Sequence, residues 1–305
     1  MNGKGLPRGV WPHFAGRLAS LLASLALAAS GPMSPAALAA QPAPAPATEH
    51  FIYLPVVFGP AGCQAVSSNA YQAGPVFQRE TDNPVRPAGN HADKNLALRG
   101  YAGNPGALKA FIDYGPSIDP TSPPQLATLF SPNRVPPFTG AYQVYTWNWA
   151  PSPDPGARGG LATNWAMSVA GLGATPGEAL HTPSSGYDIG AGMEAIVVFA
   201  DADSLTLVYT RDDTAAGGYA LHLDNICTDP NLLALYQSLD GGARYVYHGP
   251  PDGGADYNLP TLAAGQVFGT ARGPELRVAI VDSGSFMDPR SCNDWWQVRP
   301  GHSCP

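Results

Sequence analysis

Apolar positions in this chain recur mostly at a period of two, the spacing of a β-strand with one buried face. In "ELRVAIVD" (275–282), Leu276, Val278 and Ile280 share one face, while Glu275, Arg277 and Ala279 share the other. The same pattern predicts strands in "AYQVYTWNWA" (141–150), "WAMSVAGL" (165–172), "EAIVVFA" (194–200), "LTLVYTR" (205–211) and "YALHLDNI" (219–226). Shorter elements are expected at 95–101, 108–115 and 124–130. Turns such as "DADS" and "DDTAAGG" separate the strands, and "PSPDPGARGG" (151–160) is a loop, because its prolines and glycines cannot sustain a ladder. One stretch, "DPNLLALYQSL" (229–239), predicts a helix with Asp229 as N-cap and Pro230 in the first turn, although its length also suits a strand. No internal repeat is present. The expected class is all-β, with antiparallel sheets and few helices.

Composition supports that class. There are 35 Gly and 33 Pro against 13% charged residues, which favours short strands and many turns over long helices. The start of the chain has a different character. Lys4, Arg8 and Arg17 precede or flank a short apolar run at 18–30, and "ALA" (37–39) offers small residues for cleavage. Residues 1–40 therefore read as a signal peptide, cut near Ala39 or Ala40, and the mature protein as secreted or otherwise extracytoplasmic. No later stretch is long and apolar enough to span a membrane. Residues 41–94 are expected to form a Pro/Gly-rich tail or linker, with "FIYLPVVF" (51–58) a strand or sticky peptide interrupted by Pro55. An N-terminal β region at 95–175, a second β region at 176–296 and a tail at 297–305 complete the division.

Net charge is −7, and loss of the leader, which carries three basic residues and no acidic one, makes the chain more acidic. That balance argues against nucleic acid or an anionic membrane as partner. The four cysteines, Cys63, Cys227, Cys292 and Cys304, are permitted to form disulfides in an exported protein. Three full pairings are possible, and Cys292–Cys304 would staple the C-terminal tail.

Three pieces taken in order carry a resemblance. "GYDIG" (186–190), "GQVFG" (265–269) and "FMDP" (286–289), with "LYQSL" (235–239) between the first two, resemble the skeleton of the lysostaphin-type zinc endopeptidases, which cut peptide bridges in bacterial cell walls. The resemblance covers about 115 residues and implies a lysostaphin-like, duplicated hybrid-motif architecture with an N-terminal β extension. It also implies a cleft containing Ser184, Asp188, Ser238, Glu275 and Arg277. Of the family's metal ligands only the aspartate is kept, as Asp188. Serines stand at two histidine positions, and Glu275 and Arg277 replace the His-x-His pair. A catalytic zinc needs lone-pair donors and one open position, and a guanidinium has no lone pair to give. The resemblance therefore implies a pseudo-metallopeptidase needing no cofactor, in which an Arg277–Asp188 pair replaces the metal.

A working cell-wall zinc metalloendopeptidase is the alternative, with zinc held by Asp188, Glu275 and His181 or His222. Another alternative is a structural exported module without a ligand. A separate lead is aromatic. Tyr145, Trp147 and Trp149 share one face of the 141–150 strand, with Tyr142 and Val144 on the other, and "NDWW" (293–296) could extend the row. Such a row stacks on sugar rings or grips an extended peptide. The expected function is a secreted, non-catalytic binding module for cell-wall peptide or glycan, or for an extracellular protein.

Overall fold

The computed structural model describes residues 62–76, 88–114, 123–150, 156–212, 214–240 and 257–304. The expected leader and the start of the expected tail or linker, including the 51–58 segment, lie outside them.

Among the described residues there are fourteen strands and three short α-helices. In chain order the strands begin with β1 (Gln72–Val76), β2 (Tyr101–Gly103), β3 (Phe138–Asn148), β4 (Ala157–Leu161) and β5 (Val169–Gly173). Then come β6 (Ala179–His181), β7 (Ala195–Ala200), β8 (Ser204–Val208), β9 (Tyr219–Asp224) and β10 (Ile226–Thr228). The last are β11 (Tyr257–Leu262), β12 (Val267–Ala271), β13 (Glu275–Asp282) and β14 (Ser285–Phe286). The helices are α1 (Leu96–Arg99), α2 (Pro230–Asp240) and α3 (Cys292–Trp295). None is long and apolar enough to cross a membrane.

Eleven strands form one sheet along the path β1-β11-β7-β8-β9-β13-β5-β3-β2, with β14 beside β13 and β4 beside β3. A small sheet runs β10-β12-β6. Every strand pair is antiparallel. The all-β antiparallel expectation is therefore met. The two expected β regions share the large sheet, because β13 pairs β5 on one side and β9 on the other.

The alternation in β13 determines how the sheet is covered. Leu276, Val278 and Ile280 are fully buried in the main core, together with Leu221 and Leu223 of β9, Leu205 and Leu207 of β8, and Trp296. The opposite face is not bare either. Ala279 belongs to a smaller cluster with Leu96 of α1, Val144 of β3 and Val169 of β5, and the Thr206 hydroxyl of β8 donates to the Lys94 carbonyl at 2.6 Å. With both faces covered, β7 and β8 are buried throughout, which explains their nearly unbroken apolar runs.

The described part of the tail or linker expected at 41–94 contains packed structure. Val76, Ala88, Ala92 and Lys94 are all buried, β1 pairs in register with β11, and Cys63 is joined to Cys227. The second disulfide is Cys292–Cys304, so the C-terminal staple is formed. Helix α2 is a helix, and the Asp229 carboxylate accepts from the Asn231 amide at 2.9 Å, as its capping role requires. The 108–115 element is reduced to a single bridge, Ile112 to Ser291. Trp295 and Trp296, expected to extend an aromatic surface, are buried at 2% and 0% exposure. Their indole N–H groups donate to the Asp288 and Pro289 carbonyls. Asp288 of "FMDP" is likewise buried, receiving the Arg290 guanidinium at 2.9 Å.

Candidate functional site

Glu275 and Arg277 lie side by side on the second face of β13, and that face carries a closed polar network. The Glu275 carboxylate accepts from the Tyr142 hydroxyl at 2.6 Å, the Thr139 hydroxyl at 2.8 Å and Arg277 Nε at 3.2 Å. Arg277 Nη1 donates to the Tyr101 hydroxyl at 3.0 Å, and that hydroxyl donates to Asp224 on the neighbouring strand. The guanidinium also lies over the Tyr101 and Tyr142 rings, 5.6 and 5.2 Å from their centroids. Glycines make the room. A Cβ on Gly171 would come 2.5 Å from Glu275 Oε2, and one on Gly140 would come 2.7 Å from the same oxygen.

The network holds its members away from neutral-pH titration. Burial raises the Glu275 carboxyl, but the hydrogen bonds from Tyr142, Thr139 and Arg277 outweigh it and leave the group below its ordinary value. Burial lowers the Arg277 guanidinium, and its contacts with Tyr101, Tyr142 and Glu275 more than reverse that. Burial first, then Asp224 for Tyr101 and Glu275 for Tyr142, raises both phenols. None of these four side chains is poised to move a proton near pH 7.

The other three cleft positions suggested by the resemblance take local partners. The Ser184 amide donates to the Thr128 hydroxyl at 2.8 Å. The exposed Asp188 carboxylate accepts from the Gly190 amide at 2.6 Å. Ser238 is exposed on α2 and donates to the Leu235 carbonyl one turn back. The expected Arg277–Asp188 pair is not formed, because Arg277 is taken by Glu275 and Tyr101, with Asp224 at 4.0 Å.

The alternative ligand set is not brought together either. His181 Nδ1 is 2.8 Å from the Gly265 carbonyl, and His222 is fully buried on β9 with Nδ1 2.9 Å from the Thr206 hydroxyl. Among the described residues no three His, Cys, Asp or Glu side chains gather to hold a metal.

The aromatic positions do converge. Beyond Tyr142, β3 leaves β5 for β2 and β4, and a cavity of about 220 Å³ opens there. Tyr145, Trp147, Trp165 and Phe286 line it, along with the polar residues Asn164 and Ser285. Phe286 arrives on a two-residue turn, Ser283–Gly284, whose positive φ values of 47° and 81° suit a tight hairpin. Several contacts fix these rings. The Trp165 indole donates to the Phe286 carbonyl at 2.8 Å, Phe286 stacks on His222 with centroids 5.7 Å apart, and Arg158 sits 5.0 Å from the Tyr145 ring centroid. Trp149 lies just past the end of β3 and outside the cavity lining, 6.2 Å from Trp147 between ring centroids.

Arg99 also borders the cavity, with its donors committed to the Ala92 and Tyr145 carbonyls and to Asp93. Asn164 is exposed, and its amide makes no hydrogen bond among the described residues. Sequence reasoning missed Asn164, which lies in a bend that no periodicity marks; it read Trp165 only as the start of a strand and Phe286 only as part of "FMDP", neither as a site residue. The chain matches no family model, no curated protein and no solved structure.

Proposed function

We propose that this protein is an exported, non-catalytic module that binds a neutral glycan in the cavity between β3 and the β13–β14 turn. One observation carries this reading: four aromatic side chains and an unpartnered amide, Asn164, line a single cavity of about 220 Å³. Sugar rings offer apolar C–H faces to aromatic rings and hydroxyls to planar amides, which is the combination lining this cavity. The one cation at the wall, Arg99, already has its partners, so an anionic ligand would find no free charge. Two disulfides are compatible with an oxidising, extracellular setting and support the exported part of the reading.

The test is intrinsic tryptophan fluorescence during titration with neutral oligosaccharides. Saturable quenching that is lost in Trp147→Ala and weakened about tenfold or more in Asn164→Ala supports the proposal. Quenching unchanged by both substitutions, or no quenching by any glycan, overturns it.

A further inference from the structure

Building on the glycan reading, we infer that the ligand turns between successive rings and is held at two subsites, one ring against Trp147 and the next on Trp149. The two indoles are 6.2 Å apart, a separation that one glycosidic linkage spans, and their planes are inclined by 64°. Each indole has a neighbour beside it that supports this inclination. Trp149 rests on the His91 ring at 5.0 Å, and His91 is itself only 4% exposed. Trp147 is backed by Gly156, where a Cβ would come 2.7 Å from the indole Nε1. Trp149 remains 36% exposed, so it offers surface to a ligand.

Two sugar rings stacked on these indoles must themselves be inclined by a comparable angle. A flat, ribbon-like chain keeps its successive rings nearly coplanar and can satisfy only one indole. A chain that curves at each linkage satisfies both. Asn164 and Ser285 stand at the cavity subsite alone, so hydroxyl recognition belongs to the first ring and shape recognition to the second.

The experiment compares curved hexasaccharides (β-1,3- and α-1,4-linked glucose) with flat ones (β-1,4-linked glucose and N-acetylglucosamine) by isothermal titration of the full exported chain. At least one curved hexasaccharide is expected to bind about tenfold or more tighter than either flat one. Trp149→Ala is expected to erase that preference while leaving the Trp147-dependent binding in place, and Trp149→Phe to restore part of the preference. Flat chains binding as tightly as curved ones, or a preference that survives Trp149→Ala, overturns the two-subsite inference. If that binding still depends on Trp147, the glycan reading stands without it. No binding by any of the four overturns both.

Discussion

Arg277 and Glu275, two residues apart on β13, are hydrogen-bonded to each other, Nε to Oε1 at 3.2 Å, on a face of the sheet that is only partly open to solvent. A carboxylate and a guanidinium side by side on a half-apolar strand are explained by what faces them. Tyr101, Thr139 and Tyr142 give both charges hydrogen-bond partners, and Asp224 accepts from Tyr101, so the partners arrive from three other strands. The pair ties β2, β3 and β9 to β13.

Breaking that tie is expected to destabilise the fold by about 1–2 kcal/mol, since partly exposed charged hydrogen bonds are worth no more than that. Glu275→Gln tests it by urea denaturation. Because the Glu275 carboxyl is lowered in the folded state, its contribution is present above the ordinary carboxylate value and is lost as pH falls through the folded value. The wild-type and variant midpoints should differ at pH 7 and converge in acid. A gap independent of pH would contradict the network.

Gly171→Ala is expected to cost about 1–3 kcal/mol by overpacking. The added methyl would meet Glu275 Oε2 at 2.5 Å and the Gly140 backbone nitrogen at 2.6 Å. Shortening Glu275 to Ala in the same chain relieves only the first clash, so the double variant should recover part of the loss. Full recovery would mean that the backbone contact is harmless.

His222 gives a separate acid dependence. Burial, with Arg99 as the second cause, lowers its imidazole from 6.5 to about 3. Thr206 donates its hydroxyl proton to Lys94, so its oxygen accepts from His222 Nδ1–H, and Nε2 is left as a buried acceptor without a partner. The unfolded chain takes up a proton as pH drops below 6.5, and the folded chain does so only near 3. Stability from the neutral ring is thus complete above 6.5 and declines through that window. His222→Leu is expected to flatten the change in urea midpoint between pH 7 and 4. A slope equal to that of the wild type would show that the ring does not titrate as placed.

The two disulfides should contribute unequally. Cys63–Cys227 closes a separation of 164 residues and Cys292–Cys304 one of 12. Chain entropy then assigns them at most about 5 and about 3 kcal/mol. Paired Ser substitutions, compared by chemical denaturation, should rank in that order. The reverse order would point to native-state packing at the C-terminal tail as the larger effect.

How much of this the sequence disclosed depended on range. The two faces of β13 and the Asp229 cap were legible because each is written in adjacent residues. The partners of Arg277 were not, since Tyr101 lies 176 residues away and meets it only through the strand order. Resemblance pointed Arg277 at Asp188 instead. The aromatic strand at 141–150 was legible, but its alternation could not say which rings remain open. Tyr142 turned to Glu275, Trp147 lined a cavity, and the neighbouring guess at 293–296 fell into the core.

Strand β13 lies between β5 and β9 in the large sheet although it is among the last strands to be synthesised. Until Glu275–Asp282 has emerged, β5 and β9 each present a raw hydrogen-bonding edge with nothing between them, and raw edges invite pairing with other chains. Assembly must therefore wait on contacts distant in sequence, which favours slow folding. A chain stopped short of Glu275 would hold two half-sheets and no means of joining them.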